Sequence, residues 1–122
     1  MGNTILVVDD DAMNLKMAEF ILKKQGYDVK TVNSGQGCLD YLAEAVVDLV
    51  LLDLEMPGMN GIEALEHIRQ REELAEIPVA FLSASTNQTD MQKAEKLGAV
   101  DFINKPFMPP ALLGSVEKIL SK

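Results

Sequence analysis

Apolar runs alternate with helix-spaced apolar stripes five times along this chain, and the two periods predict different elements. Short runs rich in Val, Ile and Leu predict strands at Thr4–Val8, Asp28–Val32, Asp48–Leu52, Val79–Leu82 and Asp101–Asn104. Between the first two, Met13, Met17, Phe20 and Ile21 recur at helical spacing, with Lys16, Glu19, Lys23 and Lys24 on the other side. Gly26 then supplies a C-terminal stop. Further stripes run through Leu39, Leu42 and Val46, then Ile62, Leu65 and Ile68, then Met91, Ala94 and Leu97, and finally Leu112, Leu113, Val116, Ile119 and Leu120. The Met91 stripe is the thinnest. "ILVV" and "LVLL" are apolar without alternation, as strands covered on both faces should be, whereas "DVKTV" alternates like an edge strand. Repeated strand–helix–strand units require right-handed crossovers, so the expected fold is a three-layer α/β domain around a parallel sheet. Without an internal repeat, linker or low-complexity segment, residues 1–122 are expected to form a single domain.

Ligands of such sheets bind beyond the carboxyl ends of the strands, and that is where this chain places its chemistry. The first strand is followed by Asp9, Asp10 and Asp11, the third by Asp53, the fourth by Ser83 and the fifth by Lys105. Clustered carboxylates repel by about 4 kcal/mol per pair at a 4 Å separation and an effective dielectric near 20, so the site calls for cations. Lys105 supplies one, and a divalent metal would supply another. Magnesium suits oxygen ligands, commonly one or two carboxylates with waters and a phosphate oxygen. A strand-end Asp53 can then act as a nucleophile toward phosphorus, provided that electrostatic stabilisation overcomes anion–anion repulsion. Asp11, just before the first helix, reads as an N-cap rather than a ligand.

Composition narrows the partners. The net charge of −8 argues against direct nucleic-acid binding, which depends on Lys and Arg, and no apolar run approaches the roughly 18 residues of a membrane span. No secretory signal is visible, so a cytoplasmic location is the default expectation. One Cys and one His give no support to a zinc site or a Cys–His catalytic pair. Cys38 reads as a small core residue, His67 as a surface helix residue, and Met13, Met17, Met56 and Met59 as packing residues.

The segments "ILVVDDD", "LLDLEMPGMNG", "FLSAS" and "FINKPF" resemble, in order and spacing, the receiver domain of bacterial two-component response regulators, of the chemotaxis-regulator type. The resemblance covers essentially the whole chain. It implies the flavodoxin-like (βα)5 fold, with a parallel five-stranded sheet of order 2-1-3-4-5. It also implies that Asp53 is the phosphoacceptor, charged by a sensor histidine kinase, a phosphotransfer protein or a small phosphodonor. Asp10 would be the direct acidic magnesium ligand, Asp9 would support it through water, and Asp53 and the backbone carbonyl of Glu55 would complete the protein ligands. Ser83 would hydrogen-bond the phosphoryl group, Lys105 would pair with it, and Lys105–Pro106 would be the family's cis peptide. Switching would couple Ser83 to Phe102, where many members carry Tyr; without a hydroxyl, the readout at Phe102 works through packing. The implied output face comprises the Met91 helix, the fifth strand and the last helix. It would meet a downstream protein or effector domain, or a second copy in a phosphorylation-linked homodimer. The implied activity is signalling, with enzyme-like chemistry confined to self-phosphorylation and slow autodephosphorylation.

Glu55 and Ser85, each two residues past a site residue, occupy positions that in this family influence how water reaches the phosphoryl group. "KILSK" follows the last predicted helix directly, so no output domain is expected within these residues. Three rival readings are weaker. A dehalogenase-type phosphohydrolase would carry a second Asp where this chain has Glu55, and a flavodoxin-like electron carrier would want a glycine- and hydroxyl-rich phosphate cradle in place of three Asp residues. A receiver-like interaction module without phosphorylation would have no use for the full set of Asp9, Asp10, Asp53, Ser83 and Lys105.

Overall fold

The computed structural model describes residues 3–84 and 88–121. Strands and helices alternate as β1 (Thr4–Val8), α1 (Ala12–Lys24), β2 (Asp28–Val32), α2 (Gly35–Glu44), β3 (Leu49–Asp53), α3 (Gly61–Gln70), β4 (Val79–Ser83), α4 (Gln88–Lys96), β5 (Asp101–Asn104) and α5 (Pro109–Leu120). A 3-10 turn at Glu72–Leu74 separates α3 from β4. All strand pairs are parallel, and the sheet order is β2-β1-β3-β4-β5, which gives the expected flavodoxin-like topology with β2 at one edge. No helix among the described residues is long and apolar enough to cross a membrane.

Three strand boundaries move, and two of the moves matter for the site. β3 begins at Leu49 rather than Asp48 and takes in Asp53 as its last residue, while β4 takes in Ser83. Asp48 stands at the entrance to β3, where its carboxylate accepts the Thr4 N–H at 2.7 Å. Asp53 and Ser83 thus inherit the rigidity of fully buried strands.

Both faces of the sheet are covered, so alternate residues serve different cores. Leu6, Val8, Val50, Leu52, Val79 and Phe81 pack with α2, α3 and Ala94 of α4. Ile5, Val7, Leu49, Leu51, Ala80, Leu82 and Ile103 pack with α1 and α5. Burying each of the Val, Leu, Ile and Phe side chains contributes about 1.5–3 kcal/mol relative to leaving it exposed. Cys38 is buried in the first of these cores, as expected, and burial pushes its thiol up to about 12, leaving it inert.

Two apolar stripes are corrected. α1 turns Ala18, Ile21 and Leu22 to the core, with Leu15 half-buried, whereas Met13 (66% exposed), Met17 and Phe20 (69%) face outward. Both sets have helical spacing, but the small Ala18 lets the helix approach the sheet closely. Lys24 Nζ lies 5.9 Å from the Phe20 ring centroid. In α2 the helix ends at Glu44 and Ala45 is extended, which takes Val46 out of helical register; Val46 is exposed and Val47 fills the core.

Arg69, near the end of α3, is a tertiary tie. Its guanidinium donates to the carbonyls of Leu97, Leu74, Ile77 and Gly98, at 2.7, 3.2, 2.8 and 3.3 Å. The chain just past α4 is therefore pinned, although Ala94 is the single buried residue of that helix.

Candidate functional site

Three strand-end residues share the parity of the α1/α5 core. Asp9 follows Ile5 and Val7, Asp53 follows Leu49 and Leu51, and Lys105 follows Ile103. Alternation carries all three toward the same side, just past the sheet edge. Lys105 Nζ lies 2.9 Å from Asp9 Oδ2 and 2.9 Å from Asp53 Oδ1. Asp9 is fully buried and Asp53 is 1% exposed, while Asp10 is open to solvent. Backbone donors add to the cradle: Asp11 N–H donates to Asp9 Oδ1 at 2.9 Å, and Glu55 N–H donates to Asp53 Oδ1 at 3.2 Å. The Lys105–Pro106 peptide is cis.

The site is short of positive charge. Burial pushes the Asp53 carboxyl up to about 7; Lys105 opposes this, and Asp9 and Asp10 add to it. For Lys105, burial alone would lower the pKa, but the hydrogen bonds and charges of Asp9 and Asp53 outweigh it and hold the ammonium above the usual lysine range. Among the described residues, Asp53 Oδ2 is buried and accepts no hydrogen bond; Asp9 Oδ2 has the Lys105 ion pair without a well-directed hydrogen bond. One carboxylate oxygen from each of Asp9, Asp10 and Asp53 lies within 4.8 Å of the others. An all-oxygen donor set with an orphaned buried oxygen and one solvent-facing member fits a hard divalent cation such as magnesium.

Ser83 has the other parity. It follows Val79 and Phe81 on the α3/α4 side of the sheet and is 4% exposed. Its hydroxyl donates to Glu55 Oε2 at 2.8 Å. Phe102 stacks on Phe81 with ring centroids 6.0 Å apart and an interplanar angle of 21°. The strand pairing sets Asp53 opposite Leu82, so Ser83 lies one residue beyond the acceptor's register partner.

Local sequence explains how these groups are held. Asp11 caps α1, its side chain accepting the Met13 N–H at 2.9 Å, as expected. α3 opens with a capping box, Asn60 accepting from Glu63 N–H and Glu63 accepting from Asn60 N–H. Gly61 lets that helix start against the end of β3. A Cβ there would collide with Asp53 O and stand 2.8 Å from Phe81 Cε1 and 2.9 Å from Leu54 Cα. Gly58, at φ +73°, takes the left-handed turn that precedes it.

Of the expected site residues, the structure brings Asp9, Asp10, Asp53 and Lys105 together, and sets Ser83 against Glu55. His67 lies exposed on α3, apart from this constellation. Ser85 falls outside the described residues. Sequence reasoning missed the acceptor role of the Glu55 carboxylate; its position two residues past a strand-end Asp was the available signal. Missed as well was the double contact of Gly61, which requires knowing that α3 folds back onto β3.

Residues 5–117 match the profile of the response regulator receiver domain. The chain belongs to the response regulator receiver family. It is 38% identical over its full length to the DNA-binding response regulator MtrA of Mycolicibacterium paratuberculosis, covering 53% of that protein. This receiver chain thus spans about half the length of the curated relatives it matches. The chemotaxis response regulator CheY4 of Vibrio cholerae superposes with a TM-score of 0.92 at 28% identity, over 98% of this chain and 99% of that one. A putative response regulator from Chloroflexus aurantiacus gives a TM-score of 0.93 at 30% identity, over 100% of both chains. Receiver domains act in two-component phosphorelay signalling and are signalling proteins rather than conventional enzymes.

Proposed function

We propose that this chain, acting as one receiver unit, accepts a phosphoryl group on Asp53 from a sensor histidine kinase, a phosphotransfer protein or a small phosphodonor. The observation that carries the reading is Asp53 Oδ2, a buried carboxylate oxygen with no hydrogen bond among the described residues, beside two further acidic groups and one ammonium. Such an oxygen has a lone pair free for attack on phosphorus. The new bond joins Asp53 oxygen to phosphorus, and the donor's bond to phosphorus breaks, leaving with its electrons on the donor nitrogen or oxygen. Lys105, already within 2.9 Å of Asp53, offsets charge on the transferred group, and the Ser83 hydroxyl donates to one of its oxygens. Asp10, Asp9, Asp53 and the Glu55 carbonyl would hold magnesium, which when bound neutralises the carboxylates and draws the phosphoryl oxygens in.

The partner surfaces follow from position. Met13, Met17 and Phe20 continue outward along α1 from Asp10, and exposed Met108 lies three residues after Lys105. These exposed apolar side chains, on segments that follow the site residues Asp10 and Lys105, suit the protein phosphodonor, with flexible methionines adapting to it. Readout runs through Ser83 and Phe102 to the face of α4, β5 and α5, which meets an effector protein or domain, or a second copy once phosphorylated. The DNA binding in the relatives' names is not carried over, because 19 acidic against 11 basic residues suit this chain poorly to a phosphate backbone.

Incubation with acetyl phosphate and magnesium should add one phosphoryl mass to the intact protein, and chelation or Asp53→Asn should abolish it. Labelling that survives Asp53→Asn would move the acceptor elsewhere. No labelling at all would leave an interaction module.

A further inference from the structure

We propose that Glu55 is a brake on switching: its carboxylate occupies the one hydrogen that Ser83 can offer to a phosphoryl group, and must release it before Asp53 phosphate is engaged. The inference rests on the reading of Asp53 as phosphoacceptor and goes beyond it.

A serine hydroxyl donates a single hydrogen. Here that hydrogen goes to Glu55 Oε2 at 2.8 Å, from an oxygen on a residue that is 4% exposed. The acceptor is a carboxylate, which makes the bond charge-assisted, and the buried setting of the hydroxyl strengthens it further. A phosphoryl oxygen is an acceptor of the same kind. The two anions are therefore rivals for one hydrogen, and each also repels the other from the space beside Ser83.

The two rivals differ in how they can move. Ser83 ends a fully buried strand, and its carbonyl accepts the Lys105 N–H at 2.9 Å. Glu55 sits exposed on the loop after β3, so its carboxylate can leave by side-chain rotation into water. Glu55 also touches the acceptor through its own N–H, which donates to Asp53 Oδ1 at 3.2 Å. One residue thus joins acceptor and sensor, by backbone on one side and by side chain on the other. Its net effect is to favour the resting arrangement, because only that arrangement contains the Ser83–Glu55 bond. Glu55 acts through Ser83 and is a positioning residue.

The test is a double-mutant cycle on the 122-residue chain, reading beryllofluoride affinity in saturating magnesium for wild type, Glu55→Ala, Ser83→Ala and the double variant. Glu55→Ala should tighten beryllofluoride binding by about tenfold where Ser83 is present and by less than about twofold in the Ser83→Ala background. Glu55→Gln, which keeps a neutral acceptor, should fall between wild type and Glu55→Ala. Ser83→Thr, which keeps the hydroxyl, should preserve the gain from Glu55→Ala. An equal gain with and without the Ser83 hydroxyl would reduce Glu55 to a general repulsive charge and overturn the brake. Weaker binding by Glu55→Ala would overturn it too, making Glu55 a supporting group of the metal site. A wild type that takes up no beryllofluoride overturns the phosphoacceptor reading and the brake with it; uptake without the Ser83-dependent gain overturns the brake alone.

Discussion

On the α1/α5 side of the sheet edge, Asp9, Asp53 and Lys105 are tied by two ion pairs at 2.9 Å and by backbone donors. On the α3/α4 side, Ser83 is tied to an exposed loop side chain, and Phe102 rests on Phe81. The first corner is buried, charged and cross-linked by a single lysine, so it has one arrangement until a ligand changes its charge. The second depends on contacts that side-chain rotation can exchange, beside a helix with Ala94 as its single buried residue. The difference separates the work of accepting a group from the work of reporting it. It also implies that damage to the two corners should look different, in size and in sign.

Lys105→Met should have the largest effect. It leaves Asp9 and Asp53 buried with no ammonium between them, and breaking a buried pair in this way costs about 3–5 kcal/mol. Thermal unfolding at neutral pH in a chelator should show the loss, and magnesium should restore part of it. An unchanged melting temperature would mean that the ion pairs do not hold the first corner.

Gly61→Ala should come next, and it tests whether the corners share a support. Its Cβ would meet Asp53 O on one side and Phe81 on the other, the latter carrying Phe102. Overpacking of this kind costs about 1–3 kcal/mol. Amide exchange should rise at the ends of both β3 and β5; a rise confined to one of them would show that Gly61 serves that corner alone.

Asp53→Asn should shift stability in the opposite direction. The folded pKa of Asp53, about 7, lies above its ordinary value of 3.8, so its contribution to stability is complete below about pH 4 and is lost as the pH rises through 7. The variant cannot ionise there. In a chelator it should match the wild type near pH 4 and exceed it by about 1–3 kcal/mol at pH 8, after allowing for the weaker hold on Lys105. Parallel pH profiles would show that the first corner is not strained by its own charge.

The two corners were not equally legible in the sequence. Asp53 and Lys105 stand at the ends of apolar runs, where strand parity and the parallel sheet carry them to one edge without any knowledge of side-chain geometry. The Glu55–Ser83 bond depends on the path of the loop from Leu54 to Asn60, and no periodicity describes a loop. The same limit appears in α1, where Met13, Met17 and Phe20 have the spacing of a core stripe as good as that of Ala18, Ile21 and Leu22. Spacing gives the helix but not which of two faces the sheet prefers; close packing against Ala18 decides that. Val46 was misplaced for a related reason, since the helix stops at Glu44 with no Gly or Pro to announce it.

Phe102→Leu should have the smallest effect, and it bears most directly on whether the corners are separable. It keeps an apolar side chain and removes the stack on Phe81, a contact worth about 0.5–1.5 kcal/mol beyond area burial. The melting temperature should fall slightly, and amide exchange should quicken in β5 and α4, because Phe102 is half-buried in the core that includes Ala94. Magnesium affinity should stay within about twofold, since Phe102 is not part of the acidic cluster. A larger change in magnesium affinity would mean that the aromatic pair already positions the Asp53 carboxylate, and that accepting and reporting are a single mechanical unit before any phosphoryl group arrives.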